Sequence, residues 1–232
     1  MALWEHSRST LSWADAALRV ARVVNGQDDT DQVAIATEHI SDVFKKWNAK
    51  RRWKFLLTTT PASGTGVITT VLGTATYELP DLYKKSYAAY LVTSKRWLKN
   101  INEQEYIRSG GPAASNATPG TYQLGNAAGT GLITLSPPPS VAEVLRVWYY
   151  RRMAERYTSV TTEKLDILAD YEGFLLDEAR ARMIAEKGPT DKLEYWNAKG
   201  GEGFALAALD DEELPDLDIA FTLNPEYFNY AD

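Results

Sequence analysis

The chain has 232 residues, of which 44% are hydrophobic, so it is long enough to bury a core without disulfide or metal staples. It contains no cysteine, which excludes disulfide frameworks, thiolate zinc sites and cysteine nucleophiles. No apolar run approaches the roughly 18 residues that a membrane span requires, and the first residues lack a charged segment followed by an apolar one. We therefore expect a soluble protein that is not secreted.

Charge is distributed unevenly along the chain. The formal net charge is −6, but no basic residue follows Lys199, whereas nine of the 31 acidic residues do. Residues 1–199 therefore carry +3 and the remainder carries −9. An acidic segment that also contains aromatic residues is typical of an arm that docks onto a basic surface.

Helical spacing of apolar residues predicts two helices near the N-terminus. The first covers residues 9–24, and Ser12 is its candidate cap. The second covers residues 30–49, with Asp29 as cap. Each has one apolar face, so we expect the two helices to pack antiparallel.

A third and longest helix is predicted over residues 162–187. It ends at Gly188 and Pro189, because glycine is favoured just beyond a helix and proline cannot continue one. A short helix is predicted over residues 103–108.

The intervening segment has the features of short β-strands separated by turn residues. The alternation around Trp53 and Phe55 indicates one strand. Further predicted strands cover residues 67–72, 75–79, 86–93, 132–135 and 143–150. Between them, residues 109–131 are rich in Gly, Ala, Ser and Thr, which predicts a flexible loop.

These elements predict an α+β fold that is mainly an α-helical bundle with an inserted small antiparallel, barrel-like β-sheet. Residues 1–52 and 158–200 would form the bundle, with the sheet projecting from one end. Residues 53–157 would form the β-rich insertion that contains the flexible loop. Residues 201–232 would form an acidic, extended C-terminal arm.

No catalytic signature is present. The glycines fit neither a dinucleotide fingerprint nor a nucleotide-binding loop, and there is no zinc-protease motif or nucleophile elbow. Carboxylates such as Asp170 and Glu172 would support a hydrolase only if a cleft desolvated one of them, and a solvated helix face is favoured. His39 is expected to be partly buried and hydrogen-bonded, because no second histidine is nearby to complete a metal site. We predict no catalysis, no cofactor and no metal.

Residues 45–54 combine basic and aromatic side chains. Such a segment could neutralise phosphates and stack on bases, which makes a nucleic-acid-binding module the alternative function. Two observations favour a structural role instead. Trp47 and Trp53 fall on predicted apolar faces, and the sequence pI is about 5.1, whereas nucleic-acid-binding domains are usually basic.

Several pieces of the sequence, taken in order, resemble a known family. They are the turn at residues 77–81 before a Tyr- and Lys-rich strand, Pro119 with Tyr122, the Leu132, Leu135, Pro137 and Pro139 segment, the strand that ends at residues 147–150, and the long helix. Over about residues 10–188 the chain resembles the head-to-tail adaptors of tailed bacteriophages, which include connectors and tail tubular A type proteins.

The resemblance implies a structural virion protein, assembled in the host cytoplasm and located at the head–tail junction. It implies a homo-oligomeric ring of about a dozen copies that joins the portal protein to the tail nozzle or tube protein. DNA would pass through the lumen during ejection. The family offers no catalytic residues to carry over.

An interface between identical copies in a ring needs two different, complementary surfaces on each copy. The acidic arm and the basic body offer such a pair, so residues 202–232 are expected to fold onto a neighbouring copy or the portal. The predicted partner-binding residues are Phe204, Leu209, Leu214, Leu217, Phe221, Tyr227 and Phe228 in the arm, and Lys45, Arg51 and Arg52 in the body.

Overall fold

The computed structural model describes residues 7–26, 28–108, 115–127, 130–157 and 162–213. The chain divides into a helical unit, formed by Met1–Phe55 with Met153–Asp232, and a β unit, formed by Leu56–Arg152. The described helices are α1 (Trp13–Ala21), α2 (Thr30–Lys50), α3 (Glu103–Arg108), α4 (Ala169–Lys187) and α5 (Leu193–Glu213). None of these helices is long and apolar enough to span a membrane.

The second helix begins at its predicted cap, whereas the first begins at Trp13, four residues later than predicted, with Ser12 as its cap. The Ser12 hydroxyl accepts a hydrogen bond from the Asp15 amide at 3.1 Å, and the Asp29 carboxylate accepts one from the Asp31 amide at 2.9 Å. Each cap satisfies an amide at a helix start that has no partner within the helix. The Trp13 and Phe44 rings lie 5.3 Å apart, so α1 and α2 pack through their apolar faces.

Helix α4 begins seven residues later than the sequence predicts. Residues 162–168 instead run beside the N-terminal segment. The Leu165 amide donates to the Leu11 carbonyl at 2.9 Å, and the backbones of Arg8 and Leu168 form an isolated antiparallel β-bridge. Leu165 and Leu168 are each 2% exposed. Their apolar character therefore reflects burial against the N-terminal segment, which helical spacing alone does not distinguish from a helix face.

The β unit is built on one eight-stranded sheet. Its strands are β1 (Leu57–Thr59), β2 (Ile68–Thr69), β3 (Thr76–Glu78), β4 (Tyr83–Leu91), β5 (Arg96–Asn100), β6 (Thr121–Ala127), β7 (Thr130–Ser136) and β8 (Val144–Arg151). The order is β1-β8-β4-β5-β6-β7-β3, with β2 also paired to β8. β5 and β6 run parallel, whereas the other pairs are antiparallel.

Alternation along β8 gives the sheet a buried face and an outer face. Leu145 and Val147 are fully buried, whereas Arg146 and Trp148 between and beside them are only half-buried. Successive side chains of a strand point to opposite faces, so the two sets belong to different faces. The buried core also contains Ile68, Leu79, Ala89, Leu91, Leu98, Tyr122, Ile133 and Leu135.

The prediction of a mainly helical bundle with a small antiparallel sheet is wrong. The chain is 44% helix and 25% strand, and the sheet is mixed and curls into a half-barrel. Strands distant in sequence make this sheet, since β1 pairs with β8 and β3 with β7. Local patterns identify strands one at a time and cannot show how many of them join, so they underestimated the sheet.

Part of the predicted flexible loop at residues 109–131 is regular structure. Residues 121–127 and the first residues of β7 form an antiparallel ladder, whereas 109–114 and 128–129 lie outside the described residues. Glycine, asparagine and alanine are poor strand formers by propensity, and at Gly125, Asn126 and Ala127 pairing with β7 overrides that preference.

The predicted extended tail is also corrected in its first part. Residues 201–213 belong to helix α5, and residues 214–232 lie outside the described part of the chain. Buried positions recur along α5 at Gly200, Gly203, Ala207 and Asp211, which is helical spacing. Because these buried positions are glycine, alanine and aspartate, the spacing carries no apolar stripe from which a helix would be predicted.

Candidate functional site

Helix α5 packs closely on helix α4 through two glycines. A Cβ at Gly200 would lie 2.8 Å from the Glu178 Cα, and one at Gly203 would lie 2.7 Å from the Phe174 Cβ. Real Cβ atoms do not approach this closely, so only glycine permits this helix separation. By contrast, Gly201 has open space around its Cα.

An aromatic cluster joins α5 to the rest of the helical unit. The Phe204 ring lies edge-on to Trp47 at 5.4 Å and to Trp53 at 5.8 Å, and these two indoles stack at 5.1 Å. Tyr171 and Phe55 extend the cluster, with their rings 5.8 Å apart. Edge-on and offset ring pairs add about 0.5–1.5 kcal/mol each beyond the burial of their surface.

Near the end of α5, the buried carboxylate of Asp211 is bound by residues of the basic segment, residues 45–54. Arg51 Nε donates to Asp211 Oδ2 at 3.2 Å, and the Lys54 amide donates to Oδ1 at 2.9 Å. Arg51 also binds the Glu212 carboxylate at 2.9 Å through Nη1. Burial raises the pKa of the Asp211 carboxyl, and the Arg51 guanidinium opposes that shift.

Two further polar contacts tie the helices together. The Tyr171 hydroxyl donates to Asp210 at 2.7 Å, and burial followed by this bond raises the pKa of the phenol. Glu178 on α4 accepts a hydrogen bond from the Trp47 indole at 2.9 Å and pairs with Lys46. Lys46 and Arg51 of the basic segment are therefore paired with carboxylates of α4 and α5.

The structure brings some of the predicted partner-binding residues together. Arg51 binds the acids of α5, and Phe204 lies in the aromatic cluster, where the Lys50 ammonium sits 5.0 Å from its ring. Lys45, Arg52 and Leu209 are exposed. Leu214, Leu217, Phe221, Tyr227 and Phe228 lie outside the described residues. Arg51 and Phe204 were predicted to contact a partner, whereas in the structure Arg51 binds α5 of its own chain and Phe204 packs from α5 onto Trp47.

The candidate catalytic and metal residues occupy structural positions. Glu172 accepts a hydrogen bond from Ser9 at 2.7 Å, and Asp170 is exposed on the first turn of α4. His39 contacts Glu186 at 3.1 Å, and burial lowers the pKa of its imidazole. Within the described residues, no group of three or more His, Cys, Asp or Glu side chains is placed to hold a metal ion.

The outer face of β8, β4 and β5 forms a second surface, which the sequence patterns do not predict. Tyr90 pairs across the sheet with both Trp97 and Arg146. The Trp97 and Trp148 rings lie 5.2 Å apart, and the Arg146 guanidinium carbon lies 5.3 Å from the centre of the Trp148 ring. Strand β5 was not predicted from the sequence, so Trp97 could not be assigned to a face of the sheet.

Comparison with known proteins identifies the family. The family model described as SU10 adaptor protein matches residues 11–216, and no curated protein matches the chain. The match confirms the resemblance to phage head-to-tail adaptors, and it supports a structural role in a bacteriophage virion rather than an enzymatic one. Because it spans residues 11–216 of 232, the chain belongs to the SU10 adaptor protein family.

Proposed function

We propose that this protein is the head-to-tail adaptor of a tailed phage, forming a ring of about a dozen copies between the portal and the tail. One face of the ring binds the portal protein and the other binds the tail nozzle or tube protein. DNA passes through its lumen during ejection. The protein performs this role through its surfaces and catalyses no reaction.

The observation that carries this proposal is the family match over residues 11–216, which includes elements of both units. The described side chains are consistent with a binding role. Glu172 accepts a hydrogen bond from Ser9, Glu178 accepts one from Trp47, and His39 contacts Glu186, whereas Asp170 is exposed on the surface of α4.

The arm that we assign to partner contacts is shorter than sequence analysis predicts. Residues 202–213 lie in a helix whose acidic end binds Arg51 in its own chain. Asp211 and Glu212 are therefore already paired within the chain. We assign the partner-binding arm to residues 214–232, which contain four acids and no base.

Electron microscopy of the purified chain mixed with portal rings of the same phage tests this function. We expect a second ring stacked coaxially on the portal, and we expect a chain truncated after Glu213 to lose this docking while it keeps its helical circular dichroism. Portal rings that remain bare with the full-length chain would contradict the proposal.

The alternative is a nucleic-acid-binding module that uses residues 45–54. The structure disfavours it, because Lys46, Arg51 and Lys54 contact carboxylates or carbonyls of α4 and α5. Only salt-sensitive DNA binding by the isolated chain that Lys45→Gln and Arg52→Gln abolish would favour it.

A further inference from the structure

The four adjacent strands β1, β8, β4 and β5 have an unusual composition. They contain no acidic residue, six basic residues and seven aromatic residues. The bases are Lys84, Lys85, Arg96, Lys99, Arg146 and Arg151. Tyr149 is buried and Tyr83 packs against the core, but the other bases and rings of these strands are exposed or half-buried. Those side chains are complementary to a partner that carries carboxylates and apolar side chains.

The outer face of these strands is an aromatic surface that includes the Arg146 guanidinium. Tyr90 and Trp97 pack at 4.9 Å, and Trp97 contacts Trp148 at 5.2 Å, so the rings form a continuous patch. These rings remain partly exposed, and Lys99 beside them is exposed. Hydrophobic and aromatic patches of this kind on a sheet mark interaction sites.

Arg146 indicates the charge of the partner. Its guanidinium packs on the Trp148 ring, and its Nε is buried without a hydrogen-bond partner. Among the described residues no carboxylate pairs with Arg146. The residue as a whole is only half-buried, so a carboxylate at this face would form a charge-assisted bond with the outer part of the guanidinium.

We propose that residues 214–232 of a neighbouring copy bind this outer face, which makes the arm the strap between copies of the ring proposed above. The segment carries four acids, no base, and apolar side chains that include Leu217, Phe221 and Phe228. Its carboxylates pair with Arg146 and Lys99, and its apolar side chains cover the Tyr90 and Trp97 rings. Nineteen extended residues reach up to about 60 Å, which is far enough to leave one copy for the next.

The face favours a peptide over a nucleic acid. Its rings pack against each other and are half-buried, so they do not stand free to stack on successive bases. Arg146 is set among aromatic rings, which suits alternating acidic and apolar side chains better than a chain of phosphates.

A labelled peptide of residues 214–232, titrated into the chain truncated after Glu213, tests the surface. We expect saturable binding that weakens with salt and falls about tenfold with Arg146→Gln in the protein, or with Asp216→Asn and Asp218→Asn together in the peptide. The peptide has no fold to lose, so its variants report on binding alone. The matched control Arg108→Gln, on α3, is expected to bind as the parent does, with equal melting temperatures throughout.

Two results would overturn the assignment of the surface. One is the absence of peptide binding, or binding that neither set of substitutions weakens. The other is tighter binding of a single-stranded oligonucleotide that Arg146→Gln abolishes, which would assign the face to nucleic acid instead.

Mixing two complementary defective variants tests whether the strap joins different copies. The chain truncated after Glu213 has the surface but not the segment, and the full-length Arg146→Gln chain has the segment but a weakened surface. We expect heterodimers in the mixture by light scattering, and none for either chain alone. If the mixture stays monomeric although the peptide binds, the segment binds within its own copy and the strap is refuted. Full-length chain that still stacks on portal rings in that case would leave the proposed adaptor function standing.

Discussion

Asp211 is a carboxylate at a position where a helix that faces a core normally carries an apolar residue. It is fully buried, and its two oxygens accept hydrogen bonds from the Arg51 side chain and the Lys54 amide. Desolvation of a charge is offset only when such partners are present. The pair therefore makes the docking of α5 depend on a specific basic residue rather than on apolar contact alone.

Removing Arg51 tests this dependence. We expect Arg51→Met to lower the free energy of unfolding by about 3 kcal/mol, because Asp211 then lies buried without its counter-ion. Burial already raises the pKa of Asp211, so loss of Arg51 raises it further, and the destabilisation should shrink as the pH falls and the carboxyl takes up a proton. Urea denaturation at pH 7 and pH 5 measures both effects. Arg52→Met, at an exposed position, is the control and should change little; equal losses at the two positions would contradict this role for Arg51.

His39 gives the helical unit a second dependence on pH. Burial lowers the pKa of its imidazole in the folded chain, and Glu186, Arg182 and Asp42 modify that shift. Below about pH 6.5 the unfolded chain therefore binds a proton at His39 more readily than the folded chain does. The contribution of His39 to the free energy of unfolding is fully present above about pH 6.5 and is lost as the pH falls below that value.

Replacing His39 should remove this part of the pH dependence. We expect the stability of His39→Gln to decline less than that of the parent chain between pH 7 and pH 5, as measured by urea denaturation at intervals of half a pH unit. An unchanged slope would show that the imidazole titrates alike in the folded and unfolded chains.

At the scale of elements, the contact between α4 and α5 depends on small residues at defined positions. Gly200 lies against the Glu178 backbone, whereas Gly201, one residue further on, faces open space. Glycine weakens a helix wherever it is not required, because it loses the most backbone freedom on folding. Gly200 is therefore required for the packing of α5 on α4, whereas Gly201 is not.

The pair allows a matched test. Gly201→Ala should stabilise the chain by about 0.5–1 kcal/mol through helix propensity alone. Gly200→Ala adds the same methyl group but forces it against backbone, so we expect a loss of about 1–3 kcal/mol. Thermal and urea denaturation of the two variants measure the difference. The packing account fails if both substitutions stabilise the chain equally.

At the scale of the whole molecule, the two acidic parts of the C-terminal segment have different roles. Residues 210–212 bind within the helical unit, and the acids after residue 213 belong to the proposed strap. A single acidic run in the sequence is thus divided between a helix that belongs to the fold and an arm for partners.

Two truncations separate these roles. A chain ending at Gly201 loses Phe204 and Asp211, so we expect a loss of about 3–5 kcal/mol and a red-shifted fluorescence as the Trp47 and Trp53 rings become exposed. A chain ending at Glu213 should keep the parent melting temperature and tryptophan emission. Similar spectra for both truncated chains would show that α5 contributes little to the core.

The sequence by itself determined the features that depend on near neighbours along the chain. It placed the caps at Ser12 and Asp29, the short helix α3 and the end of α4 before Gly188, because a cap, a turn and a stop each act within a few residues. The family resemblance also came from residues in order, and the family match confirms it.

Only the tertiary structure decided which distant segments meet. It joined β1 to β8, set β5 beside β6, moved the start of α4 and bound Asp211 to Arg51 across 160 positions of the chain. Sheet pairing and ion pairing between distant residues depend on the path of the chain in space, which composition and periodicity do not record. The outer sheet face with Arg146 became recognisable as a binding surface for the same reason, since its strands are neighbours only after folding.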